Sequence, residues 1–286
     1  MAADLEMSGN SALTRSLPVT APGAFYERID DDAFAATTAT QSPWDVRLQH
    51  GSPPTALLAR AMLARHPHDG MRLARISAEF LGPIPLATMH VRTRVARPGR
   101  RIEMLEGAIE SDGREVVLAR AWRIAIGAER SVPRAASEPD TAPPLPPEQS
   151  APAWLGFFGY GRALEWRYAH GEHGFGPAAV WTRPRATLIA GEPLQPLDRA
   201  LLIADSANGV SRELSMDDWL FVPPSLSLAL ERYPEGEWTL LEARTTLSHD
   251  GLGITASRLA DATGYFAVGS QALLVERRSS GPKDGA

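Results

Sequence analysis

The chain has 286 residues, 44% of them hydrophobic and 22% charged, with a formal net charge of -5. This is an ordinary globular composition, with room for one large or two small domains and no basic footprint for nucleic acid. It contains no cysteine, which excludes a disulfide framework, a thiolate nucleophile and a zinc–thiolate centre.

Residues 1–22 are small and polar, with Pro18 and Pro22, and read as a mobile tail. Asp4 and Glu6 stand where a signal peptide carries positive charge, and no apolar run is long enough to span a bilayer. A soluble cytoplasmic protein is the expectation. Short apolar stretches around Phe25, Tyr26 and Phe34 follow, then Trp44. The segment Trp44–His66 reads W-D-V-R-L-Q-H-G-S-P-P-T-A-L-L-A-R-A-M-L-A-R-H. Its Pro53-Pro54 pair suits the first turn of a helix, and Ser52 is the expected N-cap. Ala56, Leu57, Ala59, Ala61, Met62 and Leu63 make that helix apolar almost all round, which predicts burial. Gly51 lets a ligand approach its N-terminal N–H groups. Pro67 and Gly70 stop it.

Four strands are expected next, over Leu73–Phe80, Met89–Val95, Arg101–Glu110 and Glu115–Ile126, with a turn at Pro98-Gly99 and a hairpin signal at Ser111-Asp112-Gly113. Residues 127–152 carry seven prolines and few apolar side chains and read as a linker. The second half repeats the order. Strands are expected at Trp166–Tyr168 and Ala179–Leu188. An apolar helix is expected over Pro193–Asn208. Strands follow at Ser225–Leu230, Trp238–Leu247, Ile254–Leu259 and Tyr265–Val275. Residues 278–286 form a second polar tail.

The halves superpose along the chain. Pro85 matches Pro234 at an offset of 149, and Gly113 matches Gly264 at an offset of 151. One unit, a helix followed by antiparallel strands, therefore occurs twice, over residues 23–126 and 153–277. Two such units can pair sheet edges and remove the edge liability of each.

This pattern resembles the hotdog fold in tandem, and the chain is similar to the double-hotdog acyl-CoA thioesterase family of the TesB-like type. The resembling segments are the W-D-V-R-L-Q-H-G-S-P-P-T-A stretch, I-S-A-E-F-L-G-P-I-P and V-A-R-P-G-R-R in the first half. In the second they are L-S-L-A-L-E-R-Y-P-E-G-E-W, L-L-E-A-R-T-T and G-S-Q-A-L-L-V. The resemblance implies an α+β fold with two central helices wrapped by one continuous antiparallel sheet. It implies hydrolysis of a fatty or related acyl-CoA by an activated water, with no cofactor and no metal.

In that family an Asp, a Thr and a Gln of the second half position the water. Carried over by spacing, these fall on Ser225, Thr246 and Gln271. A serine is no general base at neutral pH, and Asp205 on the second helix stands as a substitute. The N–H groups of Gly51 and Ser52, with His50 beside them, are placed as contacts to the thioester oxygen. Arg100 and Arg101, with Arg97, are placed on the CoA phosphates. Leu57, Leu58, Phe80 and Trp122 are expected along the acyl chain. There is no Gly-x-Ser-x-Gly elbow for a covalent serine route.

Two other functions stay open. Asp45 and His50 loosely resemble a hydratase motif, without its Asn-Pro, and imply an enoyl-CoA hydratase or dehydratase. Ser225 in place of an acid is compatible with a binder of acyl-CoA or acyl carrier protein that does no chemistry. CoA or a carrier protein as donor, and pairing of double hotdogs into a homodimer, are left open as well. No nucleic-acid or membrane partner is expected.

Overall fold

The computed structural model describes residues 23–130, 140–171 and 174–278; both expected tails lie outside these. The first half contains β1 (Ala24–Arg28), β2 (Ala33–Ala36), α1 (Ser52–Arg65), β3 (Met71–Phe80), β4 (Thr88–Arg97), β5 (Ile102–Ser111) and β6 (Arg114–Ala125). Every residue of α1 from Ser52 to Met62 is buried, as its all-round apolar sequence requires. The strands alternate. On β6, Val117, Ala119 and Ala121 are buried, while Leu118, Arg120 and Trp122 face the other way. Trp122 therefore does not line the interior; the Arg97 guanidinium lies over its ring on the outer face.

The second half contains α2 (Gly159–Arg162), β7 (Leu164–His170), β8 (Ala178–Pro184), β9 (Thr187–Ile189), α3 (Pro196–Ala204), α4 (Ala207–Val210), β10 (Trp219–Val222), β11 (Ser225–Leu230), β12 (Thr239–Leu247), β13 (Leu252–Asp261) and β14 (Gly264–Arg277). The single strand expected over 179–188 is broken at Pro184, which has no N–H to continue a ladder. The expected second helix is two pieces, α3 and α4, with Asp205 and Ser206 between them.

All 14 strands belong to one sheet, in the order β7-β8-β12-β13-β14-β11-β3-β6-β5-β4-β2-β1-β9, with β10 paired to β14. The halves join where β11 runs antiparallel to β3. That ladder is centred on Ser227 opposite Ser77, with Leu228 opposite Ile76 and Leu226 opposite Ala78. Its register is that of a two-fold axis relating residues 150 apart, in agreement with the offsets of the prolines and glycines. At the far ends of the order stand β8, next to the edge, and β9. Only Arg185 and Ala186 separate them in the chain, so the sheet curls almost into a closed wrap.

Inside the wrap α1 and α3 lie antiparallel. Arg60 of α1 meets Asp198 of α3 at one end, and Ser52 meets Asp205 at the other. The core is built around this pair, with Leu57, Leu58, Met62, Leu201, Leu202 and Ile203 fully buried. The proline-rich stretch over residues 140–152 has no regular element. It is tied to the second half by its carbonyls: Trp181 Nε1 donates to Pro143 O at 3.1 Å and Arg167 to Pro146 O at 3.2 Å.

Candidate active site

The helix pair brings two sequence signals together from opposite halves. Gly51, not Ser52, is the residue that caps α1, and it makes no side-chain cap bond. Ser52 is the first helical residue. Its N–H donates to His50 Nδ1 at 3.1 Å, and its Oγ accepts the N–H of Asp205 at 3.2 Å. An Nδ1 that accepts a hydrogen bond leaves the imidazole proton on Nε2. The His50 ring stacks flat on Tyr160, with centroids 3.9 Å apart and planes 4° from parallel. Burial pushes its pKa down to about 3, so the ring is neutral at physiological pH. Tyr160 sits on the short α2 turn between two glycines. A Cβ at Gly159 would fall 1.6 Å from the Thr38 carbonyl oxygen, so only glycine lets this turn close on the first half. The Tyr160 hydroxyl donates to Leu202 O at 2.5 Å and shares a hydrogen bond with Ser206 Oγ at 2.7 Å.

Asp205 caps the C-terminal end of α3 and is only 5% exposed. Gln271 Nε2, from β14, donates to its Oδ1 at 2.8 Å and to its backbone oxygen at 3.2 Å. Gln271 Oε1 accepts the N–H of Asn208 at 3.2 Å, so the amide is fully engaged and rigidly aimed. The Gly51 N–H faces the carboxylate and pulls its pKa down. Oδ2 lies 3.6 Å from His50 Nδ1, too far for a hydrogen bond. Among the described residues no Arg or Lys pairs with Asp205. Burial pushes its pKa up to about 7, against the lowering pull of Gln271 and the Gly51 N–H. The negative end of the α3 dipole acts in the same direction as burial. A carboxylate of this kind is about half ionised near neutrality, which is what a general base needs.

The structure brings Asp205, Gln271, His50, Gly51 and Ser52 into one cluster. The Ser52 N–H is not free for a ligand, because the His50 imidazole takes it, and the Gly51 N–H faces the Asp205 carboxylate. Thr246 is exposed on the outer face of β12. Its neighbour Thr245 is the inward residue, bonded at 2.8 Å to both Ser211 and Thr255. Ser225 is half-buried opposite Glu79 on the outer face of β11, while Leu226, Leu228 and Leu230 face inward. Arg100 and Arg101 are exposed at the β4–β5 turn. That turn adjoins the C-terminal end of α1, where Arg123 of β6 bonds His66 O. His50 is at the other end of a 14-residue helix, so roughly 20 Å separates them. Asp45 is held by Arg47 and falls to about 2, away from the cluster. Sequence reading missed Tyr160, Ser206 and Asn208; the Gly-Tyr-Gly run of α2 is the one signal that pointed to a close approach.

Residues 40–124 match the model of the acyl-CoA thioesterase N-terminal domain, and residues 139–275 that of the C-terminal domain. The chain belongs to the acyl-CoA thioesterase family. Among solved structures the thioesterase is similar to a candidate thioesterase from Novosphingobium aromaticivorans, at 22% identity and a TM-score of 0.64, covering 87% of this chain and 98% of that one. A hotdog protein of unknown function from Alicyclobacillus acidocaldarius gives 17%, 0.66, 87% and 95%. The acyl-CoA thioesterase II of Mycobacterium marinum gives 13%, 0.63, 90% and 96%. These likenesses bear on the fold, a double hotdog. A search of curated sequences returned no significant match. The enzyme is a thioester hydrolase, and in the described residues no helix is long and apolar enough to cross a membrane.

Proposed function

We propose that the thioesterase cleaves a fatty or related acyl-CoA by general-base attack of water, with Asp205 as the base. The reading is supported by one observation above all: a buried carboxylate held by Gln271 and facing the N-terminus of α1, with no cation beside it among the described residues. A water against Asp205 attacks the thioester carbon, and its proton passes to the carboxylate as the carbon–oxygen π pair moves onto oxygen. The C–S bond then breaks, the proton is returned to the departing CoA sulfur, and free acid and thiol leave. His50 Nε2–H has no partner among the described residues and is assigned as donor to the developing oxyanion, in place of the Ser52 N–H, which His50 Nδ1 takes. One such donor is worth about 3 kcal/mol of barrier. Because burial keeps His50 neutral, it donates a hydrogen bond without competing for the proton. Gln271 is a positioning residue that orients Asp205 and holds its pKa from climbing further. The acyl group lies toward Phe80, whose ring packs against Gly51, and Leu58 of α1.

A thiol-release assay over a series of acyl-CoA chain lengths tests this. Wild type releases CoA, and Asp205→Asn is at least about 100-fold slower, the usual scale of a lost general base. No CoA from any chain length, or loss of enoyl absorbance without thiol, contradicts the proposal.

A further inference from the structure

One cluster beyond the catalytic centre gathers hydrogen-bond donors with no carboxylate beside them among the described residues. Arg212 follows α4, with its guanidinium 4.9 Å from the Trp154 ring centroid and 5.0 Å from that of Phe175. It is partly buried, and among the described residues it has no carboxylate partner. Its hydrogen bond within the described residues is a marginal 3.5 Å contact with Gly209 O. The backbone at Gly174, after β7, is pressed onto it. Gly174 has φ of +79°, and a Cβ there would lie 2.6 Å from Arg212 Nη2. Two buried groups next to it are also unpartnered, the Tyr168 hydroxyl and Trp154 Nε1. Tyr168 is 4% exposed, and Arg212 is the charged residue that acts on it. Buried polar atoms are nearly always bonded, so two orphans beside a cation that has aromatic rings but no carboxylate partner among the described residues mark a candidate ligand site. A guanidinium, a phenol and an indole N–H together form the complement of an oxyanion.

The cluster is joined to the catalytic centre in two ways. Trp154, Phe158 and Tyr160 contact ring to ring at 6.2 and 6.4 Å, and Tyr160 stacks on His50. Along the chain, Asp205 and Arg212 flank the α4 turn, about 10 Å apart at a helical rise.

We propose that Arg212, Tyr168 and Trp154 form an anion subsite for a carboxylate or phosphate oxyanion of the substrate. The proposal rests on the thioesterase reading above. Two sources share this chemistry: a carboxylate at the far end of the acyl chain, and the phosphates of CoA. Titration calorimetry with unreactive thioethers separates them, because it reads binding without turnover. Four ligands are compared: acyl-CoA thioethers with and without a terminal carboxylate, and the same two acyl groups on pantetheine, which lacks the CoA phosphates. Arg212→Gln is expected to weaken the anion-bearing ligand roughly 10- to 100-fold, the scale of a charged hydrogen bond. Tyr168→Phe removes only an unpartnered hydroxyl, so it keeps its melting temperature while also losing affinity. Loss confined to the carboxylated ligands supports the acyl source. Equal loss on both CoA thioethers and none on pantetheine supports the phosphate source. Wild-type affinity of both variants for all four ligands overturns the subsite. A protein that binds these ligands but releases no thiol from the true thioesters overturns the hydrolytic reading and leaves the subsite standing.

Discussion

The two ends of the α1–α3 pair hold two buried aspartates seven residues apart on the same stretch of chain, and they have opposite fates. Asp198 is 3% exposed and meets the Arg60 guanidinium, which also reaches Glu192 and Pro193 O. Its second role is local, accepting the Gln195 N–H in a capping box. Asp205 is 5% exposed and has amide donors and a neutral imidazole but no cation. Burial is nearly equal, so burial alone does not distinguish structure from chemistry. The partner does: an arginine neutralises one carboxylate and locks the halves together, while its absence leaves the other able to take a proton near pH 7.

The strongest way to break this comparison is at the paired end. Arg60→Ala leaves Asp198 buried without its cation and should cost about 3–5 kcal/mol of stability, read by denaturant unfolding, whereas Arg60→Met with Asp198→Leu should recover most of it. At the unpaired end Gly51→Ala is the next largest. The new Cβ would sit 2.6 Å from both Asp205 Oδ2 and Phe80 Cζ, and a shift of about 1 Å at the base should cost about 100-fold in kcat/KM. Gln271→Ala should cost about 10-fold near pH 7, and more than that at lower pH. Removing its hydrogen bond lets the Asp205 pKa rise, so the ascending limb of the pH–rate curve moves to higher pH. The smallest effects are Thr246→Ala and Ser225→Ala, each within about 0.5 kcal/mol in stability and unchanged in rate.

Stability carries the same contrast. Asp205 has a folded pKa of about 7 against an ordinary value of 3.8. The folded state therefore binds the extra proton between these values. Its contribution to stability is complete below about pH 4 and is lost as the pH rises toward 7. Melting curves at pH 5 and pH 8 should show a larger drop for wild type than for Asp205→Asn, which has no proton to lose.

Much of this was readable before any coordinates. Prolines and glycines repeating at offsets near 150 anticipated a tandem fold, and the ladder centred on Ser77 and Ser227 has that spacing. Gln271 came from the family resemblance and Asp205 from its place on the second helix, and the structure sets both beside the His50 turn. Ser225 lies on the outer face of β11, and the acid proposed as the base stands 20 residues earlier at the end of α3; Thr246 was misplaced for a separate reason. A strand alternates its faces, and a one-residue error in counting turns a side chain from core to solvent; the Thr-Thr doublet offers no internal check. The Gly51 and Ser52 donors looked free because the groups they face include a carboxylate about 150 residues away. Tyr160 was missed because a four-residue helix has no periodicity to read, which left the Gly-Tyr-Gly run as its signal.

The most direct test of the central claim is the pH dependence of kcat/KM for thiol release in wild type and Asp205→Asn. The account predicts a wild-type rate that climbs through an apparent pKa near 7. In the variant it predicts a residual rate at least about 100-fold lower, with that limb gone. An Asp205→Asn enzyme that keeps the wild-type rate and the same limb would contradict it.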